Sequence, residues 1–345
     1  MKNKLAITLI AVVLVGVAAY FVISLFYNFT EEPPSVKTVF IPRNAPVIQA
    51  ANILEANGVI KSAAKFKILA SILGKSQSIK PGEYEFNLPD HPINILKRIT
   101  LGKIKTHKFT IPEGVTAREI GIYLEREGLG NGKKFADLIY ENDLLEKYRI
   151  ESPTLEGYLF PETYILDKLM SEKTIIEIML RRFFAEVRPE LIREGTRIGM
   201  KLNSLVTLAS MIEKETGVDA ERPIISSVFH NRLKKGMRLQ CDPTVIYGIK
   251  NFDGNLTKLH LSTKTPYNTY MIKGLPLGPI SNPGLSSIRA ALSPANTDYL
   301  FFVSRNDGSH VFTSTYQEHL KNVNQFQLKG KGKLVSNRSS KVTGH

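Results

Sequence analysis

The chain repeats itself at a spacing of 70 residues, and this repeat constrains the fold of its first half more than any other feature. Val39-Phe40-Ile41-Pro42 returns as Phe109-Thr110-Ile111-Pro112, and Leu54-Glu55-Ala56-Asn57-Gly58 returns as Leu124-Glu125-Arg126-Glu127-Gly128. The aromatics of the next helix, Phe66 and Phe135, stand one residue off that register. Each copy reads as strand, helix, glycine turn, helix, and Glu83 to Phe86 supplies a closing strand in the first. On this reading Ile41 and Ile111 begin strands that pack against the helices carrying Leu54 and Leu124. Two strands with two amphipathic helices are also a generic packing unit, and no sugar-specific signature accompanies them.

Before the repeat, Leu5 to Phe26 is a run of 22 residues without a charge. At ~1.5 Å per residue it spans the ~30 Å hydrocarbon layer, so residues 5–27 are expected to form a transmembrane helix. Lys2 and Lys4 precede it and Glu31 and Glu32 follow. The positive-inside rule then leaves residues 1–4 as a cytoplasmic stub and puts the rest outside the cell membrane. Val17-Ala18-Ala19 also resembles a signal-peptide cleavage site, but the apolar run continues beyond the roughly 7 to 15 residues of a signal core. Residues 28–36, with Pro33 and Pro34, read as a linker, because proline stops a helix.

A net charge of +14, from 46 basic and 32 acidic residues, attracts anionic partners. Outside the membrane these are phospholipid head groups and anionic wall polymers. Nucleic acid is not expected, since neither stacking aromatics nor a helix-turn-helix pattern is present. The single cysteine, Cys241, permits no intramolecular disulfide. Residues 330–345, rich in Lys, Ser and Gly, read as a disordered tail.

The chemistry concentrates in Ala209-Ser210-Met211-Ile212-Glu213-Lys214-Glu215-Thr216. Leu202, Val206 and Ala209 share a helical face with Glu213, and Gly217 follows as a stop. A carboxylate there meets the negative helix end and loses water, and both effects favour the protonated, proton-donating form. Periodicity does not choose between Glu213 and Glu215, and either could equally be a surface charge paired with Lys214 or Arg222.

From Thr207 to Asn324 the chain resembles the YceG-like endolytic murein transglycosylases, the MltG family. The segments that carry the resemblance are Leu208 to Thr216, Val228-Phe229-His230-Asn231-Arg232-Leu233, Gly236 to Gly248, Pro266-Tyr267-Asn268-Thr269-Tyr270, Gly274-Leu275-Pro276, Asn282-Pro283-Gly284 and His310-Val311-Phe312. Weaker similarity, including Leu155 to Tyr164, whose aromatics and Pro161 read as a strand or extended wall of a cleft, reaches back to about Val36. The resemblance implies an α+β fold: one N-terminal transmembrane helix, a LysM-like β-α-α-β module at 37–105, a second repeat-like segment at 106–150 and a YceG-like catalytic domain at 151–329.

It also implies a non-hydrolytic cut of the MurNAc–GlcNAc bond in peptidoglycan, with Glu213 as catalytic residue. The acid protonates the bridging oxygen, then takes the proton from the C6 hydroxyl of the same muramyl residue as it attacks C1. Intramolecular attack removes the need for a second carboxylate to position water. Neither cofactor nor metal is implied. The implied partners are nascent glycan strands, the membrane and peptidoglycan synthases.

Asn231, Gln240 and Asn268 offer amides, and Tyr267 and Tyr270 offer ring faces and hydroxyls, suited to binding the sugar. Asp242 either stabilises an oxocarbenium-like charge, activates water as in a muramidase, or holds Arg232 or Arg238. Standing before Pro243, it is expected in extended backbone. No His-Glu-x-x-His zinc spacing or Gly-x-Ser-x-Gly elbow is present. A non-catalytic glycan-binding scaffold is the remaining alternative. Helices are expected near Glu172–Val187, Asn203–Thr216 and Arg222–Leu233, and strands at Tyr299–Val303 and His310–Thr313.

Overall fold

The computed structural model describes residues 10–17, 19–20, 23 and 33–328. Residues 10–17 are helical, and among the described residues no helix is long and apolar enough to cross a membrane. Most of the remaining positions of the predicted membrane span, and the predicted tail at 330–345, lie outside the described residues. The rest is a mixed α+β chain in two compact units. Among the described residues, one comprises those up to 108 with 165–170, the other 109–164 with 171–328.

In the first unit, β1 (Ser35–Ile41) and β2 (Gly82–Leu88) form an antiparallel pair with Val39 opposite Tyr84 and Ile41 opposite Gly82. Helices α1 (Val47–Ala56), α2 (Ala63–Ile72) and α3 (Pro92–Leu101) complete it. Alternation along the strands and 3.6-residue spacing along the helices turn Val39, Ile41, Leu54, Phe66, Leu69, Tyr84, Phe86, Ile95 and Ile99 into one core. Each helix begins on a different device, α2 on the Ser62 hydroxyl and α3 on His91 with Pro92 in its first turn. Glu83, nearly buried, accepts from His107 Nε2 and Lys168 Nζ, both at 2.6 Å.

The second copy of the repeat runs from β3 (His107–Thr110) through α4 (Ala117–Arg126) and α5 (Gly132–Leu138), followed by the short α6 (Asn142–Lys147). β3 pairs with β4 (Thr163–Leu166). The correspondence extends to the turn that ends each first helix. Gly58 and Gly128 both have φ of +65°, and Val59 N donates to Leu54 O at 2.8 Å as Leu129 N donates to Leu124 O at 2.9 Å. The register of the strands differs from expectation. Ile41 ends β1, and Ile111 lies just past the end of β3. Pro42 and Pro112 follow them and carry no N–H for the ladder, so the strands stop there instead of starting.

Beyond the repeat, Leu155 to Tyr164 is mostly a turn rather than an extended wall. Only Thr163 and Tyr164 enter β4, and Gly157 takes a left-handed φ of +88°. Helix α7 (Glu172–Glu186) buries Ile175, Ile176, Met179, Leu180 and Phe183, with the Phe183 ring 5.0 Å from that of Tyr158. Then follow α8 (Pro189–Arg197), α9 (Leu202–Glu215), α10 (Arg222–Lys234), α11 (Asp242–Tyr247), α12 (Lys258–Ser262) and α13 (Leu285–Leu292). α9 is the buried centre: every residue from Leu205 to Ile212 is in the interior, with α10 and α13 packed against it. A hairpin of β5 (Phe301–Ser304) and β6 (His310–Thr313) and a helix α14 (Tyr316–Val323) follow.

Candidate active site

Glu213 sits on the last turn of α9, and its side chain is only 5 % exposed. The apolar stripe beneath it is present, since Val206 and Ala209 are fully buried. What meets the carboxylate itself is polar. Thr216 leaves the helix in extended backbone and its hydroxyl caps Val218 N at 3.0 Å, so the chain turns at once into α10. Arg222, in the first turn of α10, thereby folds back and sets Nη2 3.0 Å from Glu213 Oε1. Its Nε donates to Ser287 Oγ of α13 at 3.0 Å, and its Nη1 pairs with Asp219. Gly284 N, at the start of α13, donates to the other oxygen, Glu213 Oε2, at 2.9 Å.

The loop Ile111-Pro112-Glu113-Gly114 from the second repeat forms another wall. Gly114, with φ +77°, donates its N–H to Asn282 O at 2.8 Å and accepts from Lys214 Nζ at 3.1 Å. Glu113 Oε2 lies 3.7 Å from Arg222 Nη2. Burial pushes the Glu113 carboxyl above its ordinary value, the charge of Glu213 adds to this, and Arg222 opposes it.

Two buried side chains lock these walls together. Asn282 Oδ1 accepts from Gly157 N at 2.9 Å and Leu159 N at 3.0 Å, while its Nδ2 donates to Val115 O and Glu156 Oε1, both at 3.0 Å. Glu156, 2 % exposed, also accepts from Ala117 N and Tyr247 Oη. Burial raises Glu156 to about 7 against the pull of those donors.

Two of the three amides expected to bind sugar, Asn231 and Asn268, donate to main-chain carbonyls. Asn231 Nδ2 donates to Thr297 O at 2.8 Å and Tyr299 O at 3.0 Å. Asn268 Nδ2 holds the carbonyls of His260, Leu261 and Thr263. Gln240, with φ +52°, accepts weakly from Arg232 Nη1 at 3.4 Å. The Tyr267 ring packs 4.8 Å from Tyr247, and burial pushes its hydroxyl up to about 12.

Asp242 is not in extended backbone; that role falls to Cys241, and Asp242 opens α11. Proline fits the first turn of a helix because its missing N–H has no partner there, so Pro243 starts a helix here. Asp242 Oδ1 accepts from Tyr270 Oη at 2.6 Å rather than from Arg232 or Arg238. Arg232 is buried and spends its guanidinium on the carbonyls of Leu300, Leu239 and Arg238. Beside it, burial raises Glu215 to about 7, relieved by a hydrogen bond with Cys241 and reinforced by the charge of Asp242. The Cys241 thiol is itself pushed well up by burial, which leaves it no nucleophilic thiolate. His310 pairs with Glu221 at 2.7 Å. Among the described residues, no cluster of His, Cys, Asp and Glu is placed to hold a metal ion.

Sequence reasoning missed Glu113, Ser287 and the Gly284 N–H, and named Arg222 only as one alternative partner. Asn282-Pro283-Gly284 was visible as a motif, but nothing local tells that its N–H reaches Glu213. A model of the YceG-like family matches residues 39–325, most of the chain. The chain belongs to the YceG-like family. Its relatives include an endolytic murein transglycosylase of Bacillus subtilis, 33 % identical over 95 % of this chain and 93 % of the relative. Another, also named endolytic murein transglycosylase, is from Streptococcus pneumoniae, 25 % identical over 83 % of this chain and 57 % of that longer protein. The YceG-like fold is also that of a crystal structure from Listeria monocytogenes. It is 32 % identical, with a TM-score of 0.58 over 84 % of this chain and 99 % of that one.

Proposed function

We propose that this chain is an endolytic murein transglycosylase, a lyase that cuts peptidoglycan glycan strands internally and so limits their length. The observation that carries the reading is the seat of Glu213, a buried carboxylate held on both oxygens at the end of the central helix. Glu213 protonates the oxygen between N-acetylmuramic acid and N-acetylglucosamine, then receives the proton of the C6 hydroxyl as it closes the 1,6-anhydro ring. Arg222 and the Gly284 N–H fix the position of the carboxylate that receives this second proton. Asp242 Oδ1 accepts from Tyr270 Oη at 2.6 Å, which fits the supporting role that a single-acid lyase gives it.

The uncharged run Leu5–Phe26 supports a single-pass anchor in the plasma membrane, with the enzyme on the outer side beside peptidoglycan synthases. The first unit supports the LysM-like reading. It holds a polar groove of about 640 Å³ between the loop of Arg43, Asn44 and Pro46 and the loop of Ser76 and Gln77, a shape suited to a glycan.

Product analysis on purified glycan strands tests the reading. New ends should be 1,6-anhydro-N-acetylmuramic acid without ¹⁸O from labelled water. Glu213→Gln should lower the rate by ~10² to 10⁴ or more with folding intact. Glu215→Gln and Asp242→Asn should retain cleavage. Reducing ends carrying ¹⁸O, or an active Glu213→Gln beside an inactive Glu215→Gln, would overturn it.

A further inference from the structure

The seat of Glu213 poses a problem for an acid. A guanidinium at 3.0 Å and the Gly284 N–H at 2.9 Å each donate to one of its oxygens, whereas the first step requires a proton on the carboxyl. Around Arg222 stand three carboxylates: Glu213, Asp219 and Glu113. Asp219 is 85 % exposed, so water screens it. Glu113 is only half exposed, and its seat is tightly made. A Cβ placed on Gly284 would fall 1.8 Å from Glu113 Oε1. Gly284 has φ −74°, which any residue adopts, and its missing side chain leaves the room that the Glu113 carboxylate occupies.

The repeat points the same way. Seventy residues earlier Glu113 corresponds to Arg43, and Gly114 to Asn44, whose φ of +59° matches the +77° of Gly114. The same left-handed loop therefore places a cation at the groove of the first unit and an anion at Glu213.

We propose that Glu113 is a positioning residue for Glu213: sharing Arg222 from its seat over Gly284, it offsets the guanidinium so that Glu213 can carry the proton it must donate. This rests on the reading of Glu213 as the acid. Lys214, which reaches Gly114 O, and the Glu221–His310 pair beyond Thr216 are the other charged groups near the site. Glu221 is engaged by Thr216 and His310 beyond the helix end, which leaves Glu113 as the half-buried carboxylate facing the acid.

The test is the pH profile of kcat/KM for strand cleavage by the full-length chain in detergent micelles. Glu113→Gln should move the alkaline limb down by about half to one pH unit, a roughly three- to tenfold loss near neutrality that is recovered at lower pH. Glu113→Asp should return the limb towards wild type, and Asp219→Asn should leave it in place. Glu113→Ala, which demands nothing of the Gly284 seat, must move the limb as Glu113→Gln does. An unmoved limb, or an equal loss at every pH, overturns the proposal. If Glu213→Gln is inactive and the Glu113 variants keep the wild-type limb, only the role of Glu113 fails. If Glu213→Gln remains active, the acid itself is misassigned.

Discussion

Three carboxyl groups of this chain show how the same side chain takes different behaviour from its surroundings. Glu213 is held by a guanidinium and an N–H, Glu215 sits against Cys241, and Glu156 accepts from three donors, Ala117 N, Tyr247 Oη and Asn282 Nδ2. Glu156 makes a prediction about stability. Its value in the folded chain, about 7, lies above the ordinary 4.5. The folded state therefore binds this proton more tightly than the unfolded one. Its contribution is full below about pH 4.5 and is lost as pH rises through 7. Urea unfolding of Glu156→Gln and wild type should show the variant gaining on wild type between pH 5 and 8, by on the order of 2 kcal/mol. A difference that stays constant with pH would show that Glu156 does not titrate in this window.

Elements were the most legible level. The helices expected at Glu172–Val187, Asn203–Thr216 and Arg222–Leu233 occur at Glu172–Glu186, Leu202–Glu215 and Arg222–Lys234. The reason is local: apolar spacing, a Ser171 cap and Pro223 in a first turn are all written within a few residues. The errors arose where a neighbour decided. Ile41 and Ile111 were placed at the wrong ends of their strands, and Leu155 to Tyr164 curls because Asn282, more than a hundred residues away, takes its N–H groups. Gly157 is the pivot of that curl. A Cβ there would lie 2.5 Å from Pro279 and 2.8 Å from Val206, on a backbone with φ +88°. Gly157→Ala should cost about 3 kcal/mol or more, from backbone strain and overpacking together. Thermal melting checks this, and a melting temperature unchanged from wild type would mean that the turn is free to relax.

At the scale of the whole molecule the first expectation concerns topology. Protease added to spheroplasts should digest the chain beyond Val36, and a mature protein beginning near Tyr20 would show that the apolar run is a cleaved signal. Sequence alone determined the charge-free run, the doubled β-α-α unit, the order of the later helices and the family, because each is carried by contiguous residues or by ordered motifs. It also singled out the Glu-Lys-Glu segment, but from periodicity it left Glu213 and Glu215 equal. Only the tertiary structure separated them, by bringing Arg222, Gly284 and Glu113 to one and Cys241 to the other. The same folding gives the Nδ2 groups of Asn231 and Asn268, which read as sugar ligands, main-chain carbonyl partners. The physical reason is common to all these cases. A hydrophobic period records which face is buried, whereas the partner of a buried polar group comes from another part of the chain and leaves no mark in the local sequence.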